Sequence, residues 1–200
     1  MIAGYHLIWT IYGWWLPNDP RGSTSHSIRA ASIAGLGELH YGRKRIQPSG
    51  RVIREFHDAA RAVLKHQLLE LTTSEIEVAG GAFAEVIRAR SYTCYACAIL
   101  PDHVHVLIRK HRDQAETMIA RLQDASRAAV RQCRLREVDH PVWGGDGWKV
   151  YLETRDDMER TVAYIGKNLR GKQAGQTWAF VKPYDGWLPG QAILRSSQHR

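Results

Sequence analysis

The triplet His103-Val104-His105 is set in an apolar run, Val104, Val106, Leu107 and Ile108, immediately after Leu100-Pro101-Asp102. A strand alternates its side chains between two faces, so His103 and His105 point one way while Val104 and Val106 point into a core. The chain must therefore build a sheet that is apolar on one face and carries two imidazoles on the other. Neutral imidazole suits divalent transition metals, and a site completed by oxygen ligands also accepts manganese or magnesium beside a phosphate. Taken alone, the pair equally describes two histidines on a half-wet sheet face that bind nothing.

A second feature lies about sixty residues on. Met158, Val162, Ile165 and Leu169 recur at spacings of four, three and four, the buried stripe of an amphipathic helix. Thr154 or Asp156 can cap its first amides, and Asp156, Asp157 and Glu159 suit the positive end of the helix dipole. At about 100° per residue, Tyr164 and Asn168 fall together on the flank of the stripe, at the border of core and solvent. Gly166 and Gly171 weaken the helix there, as in a mobile or closely approached segment. The plainer role for Tyr164 is a boundary ring whose hydroxyl meets water.

These residues carry a resemblance. Leu100-Pro101-Asp102-His103-Val104-His105, with Tyr164-Ile165-Gly166-Lys167-Asn168 downstream, resembles the single-tyrosine HUH transposases of small insertion sequences and their domesticated REP-associated relatives. The opening His6-Leu7-Ile8-Trp9-Thr10, Tyr12-Gly13, Trp15-Leu16-Pro17 and Asp19-Pro20-Arg21-Gly22 is similar to one branch of that family. The resemblance implies that His103 and His105 hold a divalent cation, Mg2+ or Mn2+, with Asn168 as a third, oxygen ligand. The typical transposase has glutamine at the last position, whereas REP-associated relatives often have asparagine. It further implies that Tyr164 is the nucleophile, leaving a 5′-phosphotyrosine and a free 3′-hydroxyl on single-stranded DNA flanked by a hairpin. A phenol is protonated at neutral pH, so the tyrosine needs a nearby cation or base. The family also implies a homodimer, or a monomer for domesticated members.

Charge agrees with a nucleic-acid partner. Lysine and arginine number 28 against 20 acidic residues, a formal charge of +8, which favours phosphate backbones or anionic surfaces. Arg21, Arg43, Lys44 and Arg45 in the N-terminal half, and Lys167, Arg170 and Lys172 beside the tyrosine, are the expected DNA contacts. A charge cluster is otherwise simply a solvated face. Seven tryptophans are heavy use for 200 residues. Most should seal the core; Trp15 and Trp148 are the expected exceptions, with Trp15 placed on DNA by stacking an unpaired base. Cys94, Cys97 and Cys133 make an odd count without a disulfide framework. Cys94 and Cys97, three apart on a strand, should face opposite ways and serve packing.

At 200 residues and 44% apolar composition, one domain spanning 1–200 is expected. It should contain an irregular basic segment at about 17–53 and an irregular tail at about 174–200. With neither a signal peptide nor a membrane-length run, a cytoplasmic protein with no membrane partner is expected. Strands are expected at 5–12, 91–99, 103–109 and 148–153, and helices at 54–71, 112–135 and from Asp156 onward. That order fits an α+β, ferredoxin-like split βαβ fold with an antiparallel central sheet and a C-terminal helix bearing the tyrosine. Three functions remain open on these residues. The first is the metal-dependent nuclease and strand transferase; the second is a catalytically silent binder of DNA or RNA hairpins on the same fold. The third is a metallohydrolase in which His103 and His105 join an acidic residue such as Glu153 around zinc.

Overall fold

A computed structural model describes residues 1–190 apart from 24, 43, 134–138, 170–172 and 174. Four strands, β1 (Gly4–Thr10), β2 (Cys94–Ile99), β3 (His103–Arg109) and β4 (Trp148–Leu152), form one antiparallel sheet in the order β2-β3-β1-β4. Helices α1 (Ala31–Ala34), α2 (Gly50–Val63) and α3 (Thr73–Arg90) lie between β1 and β2. Helix α4 (Ala115–Cys133) joins β3 to β4, and α5 (Arg155–Asn168) follows β4. With α3 and α4 as the crossover helices, the strand order is that of the expected split βαβ fold. Among the described residues, no helix is long and apolar enough to cross a membrane.

The helix expected at 54–71 is corrected by the structure. Helix α2 starts earlier, at a Ser49 side chain that accepts from the Val52 amide, and ends where Leu64 turns extended. Leu69 and Leu71 are buried from a connecting segment, with the Leu71 amide bonded to the Pro101 carbonyl. The crossover helix is α3, absent from the sequence reading. Thr72 and Glu75 form its capping box, each side chain accepting the other's backbone N–H.

Alternation on the strands divides the sheet as expected. Leu7, Trp9 and Ile11 join Val104, Val106 and Ile108 beneath α3 and α4, with Phe83, Met118, Ile119 and Leu122 filling the layer between. On the other face Leu107, Ala96, Ala98 and Leu152 meet Met158 and Ile165 of α5. Helix α5 packs over β2 and β3. It approaches β1 closely at Gly4, where an added Cβ would stand 2.7 Å from the Met158 sulfur and 3.1 Å from the Ile108 carbonyl oxygen.

One local reading fails. The register slips between Cys94 and Ala96, so a bulge returns Cys97 to the same core cluster as Cys94 instead of the opposite face. Both thiols are buried, and burial pushes Cys94 up to about 12 and Cys97 well above its ordinary value. Neither is poised as a nucleophile, in keeping with a packing role. The described part of the expected tail, up to residue 190, is irregular but firmly seated, and 174 and 191–200 lie outside the described residues. Val181 bridges to Cys94 at the β2 edge, Tyr95 donates its hydroxyl to Asp185, and the Arg109 guanidinium lies 3.5 Å from the Trp187 ring centroid.

Candidate active site

Strand pairing assembles the site. His103 lies opposite Thr10 and His105 opposite Ile8, while His6 pairs with Leu107. His6, Ile8 and Thr10 therefore share the α5 face with His103 and His105. His6 and His105 sit on a diagonal, with His6 Nε2 and His105 Nδ1 3.0 Å apart and sharing one proton. The His103 and His105 rings stand 4.8 Å apart, edge to face.

Tyr164 comes down on these rings from α5. Its ring centroid is 5.5 Å from that of His105 and 6.0 Å from that of His6, both edge to face. The helix that carries it starts at Thr154, whose side chain accepts from the Asp157 amide in a capping box, and is anchored by buried Met158 and Ile165. Tyr164 remains 46% exposed. Among the described residues no hydrogen bond engages its hydroxyl. Asn168 lies one turn on, its Nδ2 donating to the Tyr164 carbonyl at 3.0 Å.

The two histidines are held differently. His103 donates Nδ1 to Asp102 Oδ1 at 2.7 Å. Burial opposes ionisation of Asp102, but its hydrogen bond to and electrostatic interaction with the His103 ring outweigh it, with help from Arg21, and hold the carboxyl below its ordinary value. His105 faces no carboxylate. Burial, with the neighbouring His103 and His6 rings, lowers it to about 2, and burial alone lowers His6 to about 4, so both are neutral near pH 7.

A bracket of half-buried Trp15 and Arg21 on buried Asp19 and His57 backs His103. Trp15 adopts a left-handed backbone, φ 47°, uncommon for so bulky a residue. Its ring stands 5.2 Å from His103, with the Arg21 guanidinium 3.9 Å from its centroid. Arg21 in turn donates to both oxygens of fully buried Asp19, at 2.9 and 2.7 Å. His57 Nε2 lies 3.1 Å from the same guanidinium. Arg21 and Trp15, both named above as expected DNA contacts, thus stand in a bracket that contacts His103. Lys44, Arg45 and Lys167 are exposed. Arg43, Arg170 and Lys172 lie outside the described residues.

The sequence reading carries His6 in the opening motif but gives it no place beside His103 and His105. The period-2 pattern of β1 sets His6 apart from Leu7 and Trp9, but its value depends on the pairing of β1 with β3, which no local pattern reveals. Asp102 was visible only as part of a turn before the triplet.

The donor set agrees with a cation in part. Each histidine commits Nδ1 to a protein partner, His103 to Asp102 and His105 to His6, and so keeps Nε2 for a ligand. That is how metal-binding imidazoles are usually held. Among the described residues no group of three His, Cys, Asp or Glu could hold a metal ion. A cation on the pair therefore needs oxygen donors from an amide, water or substrate. Asn168 engages its nitrogen with the helix backbone, which leaves the amide oxygen as its donor.

No family model matches the chain, and no curated protein matches it. Several solved structures are similar to it, among them the following two. The structure of a REP-associated tyrosine transposase bound to a REP hairpin superposes with a TM-score of 0.44 at 12% identity, covering 83% of this chain. The chain spans 66% of that protein, just under two thirds of its length. The crystal structure of a protein from Deinococcus radiodurans R1 assigned as a transposase superposes with a TM-score of 0.40 at 12% identity. That match covers 84% of this chain and 91% of the other.

Proposed function

We propose that the protein is a metal-dependent, transposase-like nuclease and strand transferase that acts on single-stranded DNA flanked by a hairpin and passes through a 5′-phosphotyrosine. The observation that carries this reading is the meeting of Tyr164, from α5, with the imidazoles of β1 and β3, its ring 5.5 Å from His105. A half-exposed phenol beside two histidines that keep their outer nitrogens for a ligand suits attack on a bound phosphodiester.

In this mechanism the Tyr164 oxygen attacks phosphorus in line as the phenolic proton passes to solvent, and the bond from phosphorus to the 3′-oxygen breaks with that oxygen taking up a proton from solvent. The products are a 5′-phosphate ester of Tyr164 and a strand ending in a 3′-hydroxyl. Since the ester keeps a transferable phosphoryl group, attack by another strand's 3′-hydroxyl reverses the step and joins DNA. A magnesium or manganese ion held by His103 and His105, with the Asn168 oxygen as third ligand, would neutralise charge on the phosphate oxygens and orient them. Asp102 keeps His103 turned toward the site. Exposed Lys44, Arg45 and Lys167 would contact the phosphate backbone, as would Arg43, Arg170 and Lys172, and Trp15 would stack an unpaired base.

The test is covalent trapping. Wild-type protein incubated with manganese and labelled hairpin-flanked single-stranded DNA is expected to carry label through denaturing electrophoresis, and Tyr164→Phe to carry none. Label retained by Tyr164→Phe removes that residue from the role. Binding that persists in chelator, with no adduct from the wild type, identifies a silent hairpin binder instead.

A further inference from the structure

We infer that His6 is a positioning residue of the site: its Nε2 accepts the Nδ1 proton of His105 and thereby keeps the outer nitrogen of His105 unprotonated and turned toward the ligand. The inference rests on the reading of His105 as a ligand and adds the residue that makes it one.

The contact alone allows two arrangements. One proton lies between His6 Nε2 and His105 Nδ1, 3.0 Å apart. If His6 donates it, a neutral His105 carries its own proton on Nε2 and presents a donor where a ligand's lone pair is required. If His105 donates it, Nε2 keeps its lone pair. The neighbouring histidine points to the second arrangement. His103 gives its Nδ1 proton to Asp102 at 2.7 Å, so its Nε2 is the nitrogen left for the site. Two imidazoles that converge on one ligand must both present lone pairs, and both have a partner at Nδ1.

Strand geometry explains why the acceptor comes from β1. His105 is opposite Ile8, whose apolar chain cannot accept; of the two diagonal positions on the same face, His6 and Thr10, it is His6 whose ring meets His105 Nδ1. Such diagonal neighbours lie within reach of a long or ring side chain. Both rings are almost wholly buried, 7% exposed at His6 and 4% at His105, so water does not readily replace a lost acceptor. Tyr164 covers both rings edge to face, which fixes their planes from above. His6 therefore does for His105 what Asp102 does for His103, without adding a negative charge beneath the ring.

The experiment compares the full-length protein with His6→Leu, which fills space without an acceptor, and His6→Gln, whose carboxamide oxygen can accept the same proton. Long-range proton–nitrogen correlation spectra of the metal-free proteins assign the tautomer of each imidazole. Manganese(II) alone is then titrated by electron paramagnetic resonance. The expected result is a His105 protonated on Nδ1 in the wild type and in His6→Gln, and redistributed toward Nε2 in His6→Leu. Manganese affinity should fall about 10–100-fold in His6→Leu, the range for loss of an outer partner, with most of it regained in His6→Gln. A wild-type His105 protonated on Nε2, or a His6→Leu protein that binds manganese as tightly as the wild type, overturns the inference. If His6→Leu does not fold, loss of the Nδ1 tautomer in His6→Gln overturns it and retention supports it. The spectra need neither metal nor DNA, so an Nδ1 tautomer in a protein that forms no phosphotyrosine supports the positioning role while the catalytic reading fails.

Discussion

One strand serves two regions with opposite demands. Toward α3 and α4, β1 presents Tyr5, Leu7 and Trp9 to a continuous apolar layer; toward α5, one residue along, it presents His6, Ile8 and Thr10 beside His103 and His105. The first face is closed by two helices. The second is roofed by α5 over β2 and β3, which leaves a polar end where rings meet under a half-exposed tyrosine. The pleat thus separates the larger apolar layer from the imidazole cluster: changes toward α3 and α4 should cost mainly folding free energy, and changes toward α5 should cost less of it and disturb the order of the rings.

The sharpest test of that division is Phe83→Ala. Phe83 is completely buried between the sheet and the helices, so its truncation should destabilise by about 3–5 kcal/mol in denaturant unfolding. Where folded, the variant should keep the His105 tautomer. A loss below about 1 kcal/mol would mean that this face is not the one that holds the domain together.

The second test is acid. Burial, joined at His105 by the neighbouring imidazoles, lowers His6 to about 4 and His105 to about 2 from the ordinary 6.5. Above pH 6.5 both are neutral folded or unfolded, and their contribution is fully present. As pH falls below 6.5 the unfolded chain takes up protons that the folded chain refuses, so stability drops until His6 titrates near 4, with His105 continuing the loss below that. His57, lowered by burial and by Arg21, acts in the same direction from the bracket. Unfolding measured from pH 7 to pH 4 should show this decline, and His6→Leu should flatten it. An unchanged slope in that variant would assign the acid sensitivity elsewhere.

The smallest effect is expected at the seam between the faces. Gly4→Ala places a Cβ 2.7 Å from the Met158 sulfur and 3.1 Å from the Ile108 carbonyl, an overpacking that should cost about 1–3 kcal/mol. Because Met158 is the anchor of α5 on β1, the variant should also lift the Tyr164 ring from His6. Loss of the ring-current shift on His6 would report it.

Much of this division was legible in the sequence. The alternation of β3 placed both histidines on one face, and the spacing of Met158, Val162, Ile165 and Leu169 placed Tyr164 and Asn168 on the flank of α5. Helix α3 was not legible because Gly80 and Gly81 interrupt its propensity and its buried residues, Glu75, Ile76, Ala79, Gly80, Phe83 and Ile87, include a charged one and two without bulk. Gly80 is there because the Trp178 ring packs against it, a contact nearly a hundred residues away in sequence. The Thr72-Glu75 capping box was the signal that could have found it. His6 and the Cys94/Ala96 bulge escaped for a related reason: pairing and register are properties of strands together, and neither is written in one segment.

The position of β1 inside the sheet has a consequence for how the protein comes into being. Its two neighbours, β3 and β4, both follow it by a long stretch of chain, and the His6–His105 contact closes a separation of 99 residues. During synthesis the central strand must wait, with both edges open, while three helices and the β2-β3 hairpin emerge. Pairings of such sequence separation are slow to form, and unpaired edges invite association between chains. Expression at reduced temperature or with holdase chaperones should raise the soluble yield by shielding Gly4–Thr10 until its partners arrive.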